Sequence, residues 1–407
     1  MKDISYLADK PIAVLGAGAV GKAISADCAL AGADVRLCDL KPFADDTLFG
    51  VEENGVEFYG QQLNLYGFKR SGTAYYDLVT TDVAEAVAGA GIVIITTPAA
   101  GHKPFFEKLI PALEDGMVIH VFPDNYGSLV LRRMMREANC NKDVIIGGWS
   151  SSPYGCRVDI KGGVTLPKVR AYYRAITLRG ASLPSKDQEA FLASTEYMGC
   201  MDAINNGEGT AAGNTVMDIG FSNVNPVLHC PGTLLGVGTM ENYGVIFGED
   251  KYKFSIYSHA YCPSISEVQY SFYEEEKALA EAMGVGIQEF DKDDFFHREN
   301  ILGQEYMGKD YKIPFDQQDE IQFGTGPHDI EHRYITEDIP VGCHVYHELG
   351  KKFNVDTPVI DSMINLASAM LNRDFYEEGY TLDYLGIGHM NKEEMLAYLN
   401  EGKYTEK

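Results

Sequence analysis

The chain has 407 residues, 45% hydrophobic and 23% charged, enough for more than one core. Its 34 Lys and Arg against 59 Asp and Glu leave a net charge of −25. That field excludes nucleic acid and anionic membrane surfaces as general partners, and no stretch approaches the roughly 20 apolar residues of a membrane span. Met1 to Lys10 lacks the basic-then-apolar pattern of a signal peptide, and eight cysteines are scattered without a CxxC pair. A cytoplasmic protein with free or buried thiols is expected.

The first forty residues organise the rest. An apolar run, Ile12 to Leu15, ends at Gly16-Ala17-Gly18-Ala19-Val20-Gly21; a helix-forming stretch, Lys22 to Ala31, and an apolar strand, Asp34 to Leu40, follow. This is the strand, turn, helix, strand order of a dinucleotide site. Gly16 allows the tight turn, Gly18 lets the backbone approach a pyrophosphate, and Gly21 lets the helix pack on the strand. Amides at the helix N-terminus suit the phosphates. Asp39 lies eighteen residues beyond Gly21, where a carboxylate accepts from a ribose diol and repels a 2′-phosphate. It favours NAD over NADP, although Lys41 is placed to reach a phosphate. An ordinary βα turn is the competing reading.

Further along, Lys41 to Arg70 is mixed, Ala74 to Leu78 is a weak strand, and Thr81 to Ala90 has a helix signature with Thr81 or Asp82 as cap. Strand Gly91 to Thr96, helix Pro104 to Leu113, strand Met117 to Phe122, helix Ser128 to Ala138 and strand Val144 to Gly147 continue an α/β series. Such alternation predicts a doubly wound parallel sheet, a Rossmann domain, with ligands outside the carboxyl ends of the strands. Thr97, Pro98 and Asn125 would then line the same crevice as the glycine turn. Ser151 to Ser182 is strand-like, with Val164 to Pro167 and Ala175 to Leu178 as β pieces, and Glu189 to Met198 is helical. Helices dominate afterwards, at Ile265 to Ala282, Asp356 to Leu371 and Lys392 to Leu399, while Gly303 to Gly326 is irregular. The expected division is residues 1–205, the dinucleotide domain, and 206–407, a mainly α-helical domain that would supply catalytic groups, with substrate held between the two.

Two later segments carry candidate chemistry. Ser222 to Gly232 contains His229 among Asn223, Asn225, Pro226 and Pro231, a setting for a general acid/base or for a helix-end histidine held by backbone carbonyls. Adjacent residues point different ways, so a Cys230–His229 nucleophile couple has little support. In His332 to Pro340, Arg333 can clamp a carboxylate and Asp338 can orient an imidazole; a capped helix with a surface ion pair is the alternative. His328 and His332 are spaced like a metal pair, but the order is HDIEH, not HExxH, and no metal is expected.

Together GAGAVG, Asn225-Pro226-Val227-Leu228-His229-Cys230-Pro231-Gly232 and Arg333-Tyr334-Ile335-Thr336-Glu337-Asp338-Ile339-Pro340 resemble the octopine/nopaline (opine) dehydrogenase family. Pro153-Tyr154-Gly155-Cys156-Arg157 resembles a further family stretch. The resemblance spans nearly the whole chain in the right order. It implies an NAD(P)H-dependent, reversible condensation of an amino acid with a pyruvate-like 2-oxo acid, giving an N-(carboxyalkyl)amino acid. It also implies His229 as the catalytic histidine, Asp338 as the acid that tunes it, and Arg333 as the holder of the oxo-acid carboxylate, with Asn225 beside them on substrate. Asp124 departs from the family, standing where a small residue is usual near the amine or nicotinamide side. The small-molecule substrates are the expected partners, with a homodimer as the assembly. Competing readings are a ketopantoate reductase or glycerol-phosphate dehydrogenase type enzyme, which would use a lysine absent from 222–232, and a non-catalytic NAD-binding sensor.

Overall fold

Ile12–Leu15 (β1) is buried along its whole length, as a central parallel strand must be when helices cover both faces of its sheet. The computed structural model describes residues 2–60, 70–162, 164–175, 178–202, 204, 211–292 and 325–406. They fall into two units, one built on Met1–Ile219 with Ala397–Tyr404, the other on most of the chain from Gly220 to Leu396. The division thus lies at Ile219/Gly220 and not at the expected 205/206. Ala211–Ala212 (β12) still pairs with Arg179–Ser182 (β11) in the first unit's sheet, and that pairing carries the unit past residue 205.

After β1 come Ala19–Leu30 (α1) and Val35–Cys38 (β2). Next are Val56–Gly60 (β3), Gly72–Ala74 (β4), Leu78–Thr80 (β5), Val83–Val87 (α2), Ile92–Ile95 (β6) and Ala99–Leu109 (α3). Val118–Val121 (β7), Gly127–Glu137 (α4), Ile145–Trp149 (β8), Tyr154–Lys161 (β9) and Val164–Arg174 (β10) follow. The main sheet runs β12-β11-β8-β7-β6-β1-β2-β5, and its strands β8, β7, β6, β1, β2 and β5 are mutually parallel. The chain winds to either side of β1, so the switch point lies between β1 and β6. The doubly wound parallel sheet is as expected.

Local differences from the sequence reading have physical causes. Helix α3 starts at Ala99, directly after Pro98, and Pro104 lies inside it rather than at its first turn. The weak strand at Ala74 to Leu78 resolves into the ends of β4 and β5, which belong to different sheets. The β pieces sought in Ser151 to Ser182 are β9, β10 and β11, and Ala175 to Leu178 is not one of them; residues 176–177 lie outside the described residues, as does most of Gly303 to Gly326.

A second sheet, β4-β3-β10-β9, was not legible in the sequence. It is braced to α1 by Asp27, whose fully buried carboxylate accepts from Arg70 Nε at 2.6 Å, Arg174 Nη1 at 2.9 Å and the Tyr154 hydroxyl. Burial of a charge is tolerable here because guanidinium groups satisfy it. The family-like stretch at Tyr154 is thus part of a structural brace.

The second unit is mainly helical, as expected: Asn225–Glu241 (α5), Pro263–Met283 (α6), His344–Phe353 (α7) and Pro358–Leu371 (α8). Pro263 and Pro358 open α6 and α8, where a missing N–H costs nothing. Two π-helical turns interrupt the regular helices, Ile256–Ala260 and Ile339–Cys343. Among the described residues no helix is long and apolar enough to cross a membrane.

Candidate active site

In the first unit, the parallel register aligns the strand ends. Leu15 pairs with Cys38 and with Ile95, and Ile95 pairs with Val121, so the residues that follow each strand emerge at one edge. Gly16 to Gly21, Asp39, Thr97, Pro98 and Asn125 all stand there. Gly16 has φ +104°, and a Cβ on Gly21 would lie 1.8 Å from the Gly16 carbonyl oxygen. Both positions therefore require glycine. Beside Gly18 the space is open, and Gly18 caps α1 without a side-chain bond or any acidic residue in the first turn. Ala19, Val20 and Gly21 begin that helix. Its first amides are thus left for an anion.

Asp39 is buried. Its Oδ2 accepts the Ala17 N–H at 2.9 Å and the Thr47 hydroxyl at 2.7 Å, and its Oδ1 accepts the Leu40 N–H at 2.8 Å. Beneath it, Lys22 is fully buried and donates to the carbonyls of Ala17, at 2.8 Å, and Thr47. Burial lowers its pKa to about 8, opposed by the nearby Asp39 carboxylate. Sequence reasoning missed Lys22 and Thr47, which tie the glycine turn to the Asp39 carboxylate. Lys41, the argument for a phosphate, is an exposed side chain 3.7 Å from Asp45. Thr97 is buried, and its Oγ1 has no hydrogen-bond partner among the described residues. Open space at Gly18, uncapped amides and this orphaned hydroxyl fit a bound dinucleotide. We expect Asp39→Asn to weaken NADH binding about tenfold, the scale of one charge-assisted hydrogen bond, and NADPH binding much less. Fluorescence titration of both nucleotides checks this; an unchanged ratio would leave Asp39 as a loop brace alone.

Asp124 turns inward to the start of α4. It is buried, its carboxylate accepts the Ser128 N–H at 3.0 Å and hydroxyl at 2.9 Å, and burial raises its pKa to about 7. Its role is to cap α4. Asn125 and Tyr126 have positive φ, 41° and 61°, in the turn that follows.

In the second unit, His229 lies in the second turn of α5 and is buried with Asp338. Its Nδ1 meets Asp338 Oδ2 at 2.7 Å and its Nε2 meets the Tyr257 hydroxyl at 3.1 Å. Tyr334 stacks on the ring, with centroids 3.5 Å apart and planes 10° from parallel. Burial pushes the Asp338 carboxyl up to about 7, with the positive Arg333 opposing. Arg333 is exposed, and among the described residues no ion pair engages it. Asn225, one turn before His229 on the same face, is half-buried and donates its backbone N–H to Asn223 Oδ1 at 3.1 Å.

Glycines bring these elements together. A Cβ on Gly342 would come within 2.5 Å of Pro226 Cγ, so Gly342 lets the turn after Asp338 lie on the start of α5. A Cβ on Gly232 would come within 2.6 Å of Tyr261, and one on Gly236 within 2.5 Å of Ala260. These two positions share the His229 face of α5, and they admit the turn that carries Tyr257. The sequence reading missed Tyr257; its signal was this HxxGxxxG face.

The remaining candidates separate from this cluster. Cys230 is buried with its Sγ 3.7 Å from Cys343 Sγ, and burial raises its pKa, so it is not a nucleophile for His229. Of the pair spaced like metal ligands, His332 caps the short helix Arg333–Thr336; further on, His344 Nδ1 lies 2.9 Å from the Tyr380 carbonyl and His347 Nδ1 lies 2.7 Å from Asp361. His344 is buried.

The profile of the NAD/NADP octopine/nopaline dehydrogenase alpha-helical domain matches residues 212–371. An opine dehydrogenase from Arthrobacter sp. (strain 1C) is 27% identical over 382 residues, covering 93% of this chain and 95% of that protein. Among solved structures, octopine dehydrogenase with NADH and L-arginine superposes with a TM-score of 0.66 at 17% identity, covering 98% of this chain and 99% of the other. Yersinopine dehydrogenase in its NADP+-bound form does so at 0.64 and 14%, covering 97% and 98%. Residues 212–371 thus match the octopine/nopaline dehydrogenase alpha-helical domain, and nearly the whole chain is similar to opine dehydrogenases.

Proposed function

We propose that the protein is an NAD(P)H-dependent opine dehydrogenase that condenses an amino acid with a pyruvate-like 2-oxo acid and reduces the resulting imine. The observation that carries this reading is the buried His229–Asp338 couple, 2.7 Å apart, with the exposed Arg333 beside it in sequence and in charge. A reductase of ketopantoate or glycerol-phosphate type would call for a lysine, and 222–232 contains none.

The amine must first lose a proton to attack the ketone, and the carbinolamine must then gain one as water leaves. His229 handles both transfers. Asp338 supports the imidazolium between them by holding Nδ1, which leaves Nε2, in contact with the Tyr257 hydroxyl, as the nitrogen that takes and returns the proton. Arg333 takes the carboxylate of the 2-oxo acid, for which a guanidinium fork is matched and which the −25 field of the chain otherwise repels. Residues Gly16 to Gly21, Asp39 and Thr97 would hold the dinucleotide, with NAD favoured by Asp39. When bound, that cofactor supplies the hydride for the imine carbon. The cytoplasm, where all eight cysteines stay free thiols, is the proposed compartment.

NADH oxidation with pyruvate and a panel of amino acids, followed by mass spectrometry of the product, tests the proposal. Consumption is expected only when both substrates are present. Tight NADH binding without turnover on any pair would overturn it in favour of a sensor.

A further inference from the structure

We propose that Tyr257 is a catalytic proton-relay residue: its hydroxyl, not the imidazole itself, exchanges protons with the substrates, and His229 acts through it. The proposal deepens the functional reading above and rests on it.

The imidazole is enclosed on three sides. Asp338 holds Nδ1 at 2.7 Å, Tyr334 covers a ring face at 3.5 Å, and the Tyr257 hydroxyl lies 3.1 Å from Nε2. With Nδ1–H donated to the carboxylate, Nε2 is the acceptor and Tyr257 O–H the donor. A proton bound for Nε2 must therefore displace that hydroxyl or pass through it.

Displacement is opposed by how the residue is held. Tyr257 is 8% exposed and packs edge-on against Tyr261, whose own hydroxyl donates to the Leu228 carbonyl at 3.0 Å. Its π-helical turn is pinned at Ile256, which donates to the Gly326 carbonyl at 3.0 Å, and at Ser255, which donates to His259 Nδ1 at 3.0 Å. Gly232 and Gly236 then let the turn lie directly on α5. Single π turns recur at functional sites, and here one presents the relay while a second follows directly on Asp338.

Passage needs no such rearrangement. As the substrate ammonium gives a proton to Tyr257 Oη, the phenolic proton moves to Nε2, leaving a neutral amine, an intact phenol and an imidazolium paired with Asp338. In the reverse sense, Nε2–H returns its proton to Oη as the phenolic proton goes to the carbinolamine hydroxyl, the C–O bond breaks and water leaves. The proton taken equals the proton returned. The product amine takes its last proton from solvent.

Tyr257→Phe keeps the ring and its packing and removes only the relay atom. Turnover should fall about 10- to 100-fold, because the imidazole must then exchange its proton directly with substrate across the gap that the hydroxyl leaves. NADH affinity and both substrate KM values should stay within about twofold, and the solvent deuterium dependence of kcat should change from two protons in flight to one. Turnover within about threefold of the unaltered protein, or an unchanged proton count, overturns the relay. If the unaltered protein turns over no amine with any 2-oxo acid, the functional reading has failed. The nitrogen NMR signal of His229 Nε2 then decides the relay separately: it must move in Tyr257→Phe, and an unmoved signal overturns the contact on which the relay depends.

Discussion

His229→Asn is expected to lower turnover by about 10² or more while leaving the fold and NADH binding in place. The amide still donates to Asp338, so the carboxyl is not left buried without a partner, and the loss falls on proton transfer alone. Asp338→Asn should cost less and shift the pH profile. An ionised Asp338 stabilises the imidazolium, so its removal lowers the histidine pKa and moves that limb of kcat to lower pH. Burial sets the range, because the Asp338 carboxyl itself is pushed up to about 7 and supports the imidazolium only where it is ionised. Folding stability follows the same group. Asp338 binds its proton more tightly folded than unfolded, so stability declines as pH rises from about 4, the ordinary carboxyl value, towards about 7. Asp338→Asn should remove that slope in denaturant titrations across the range. Near-normal turnover in His229→Asn would take this histidine out of the mechanism.

Arg333→Lys is expected to raise the KM for the 2-oxo acid about tenfold or more and leave NADH binding unchanged. The substitution keeps the charge and loses the planar fork, so it separates geometry from field. Arg333 is exposed and, among the described residues, has no ion pair to satisfy it, so little stability is at stake. Part of the loss should appear in kcat, because a loosely held carboxylate misplaces the carbon that must receive hydride. If the amino-acid KM rises instead, Arg333 serves the other substrate. If neither constant moves, it serves none.

How far the site was legible depended on the range of the contacts. The cofactor turn could be read because its requirements are local: Gly16 needs positive φ, Gly21 needs no Cβ, and Asp39 follows at a fixed distance. The cap made by Asp124 was not legible for the complementary reason. Its neighbours in sequence suggest a crevice residue, but Ser128, one turn on, offers two donors and draws it into a cap.

The sequence by itself determined the βα alternation, the glycine turn and the helical character of the second unit, and it singled out His229, Arg333 and Asp338 as candidates. Periodicity and turn chemistry act over a few residues, so they are written in the local order of the chain. Only the tertiary structure decided that Asp338 meets a histidine 109 residues away, that Tyr257 closes the other imidazole nitrogen, and that Cys230 turns to Cys343. It also decided the second sheet, in which β10 runs parallel to the distant β3. Those pairings depend on which surfaces can approach, and at α5 that is set by the missing side chains of Gly232, Gly236 and Gly342.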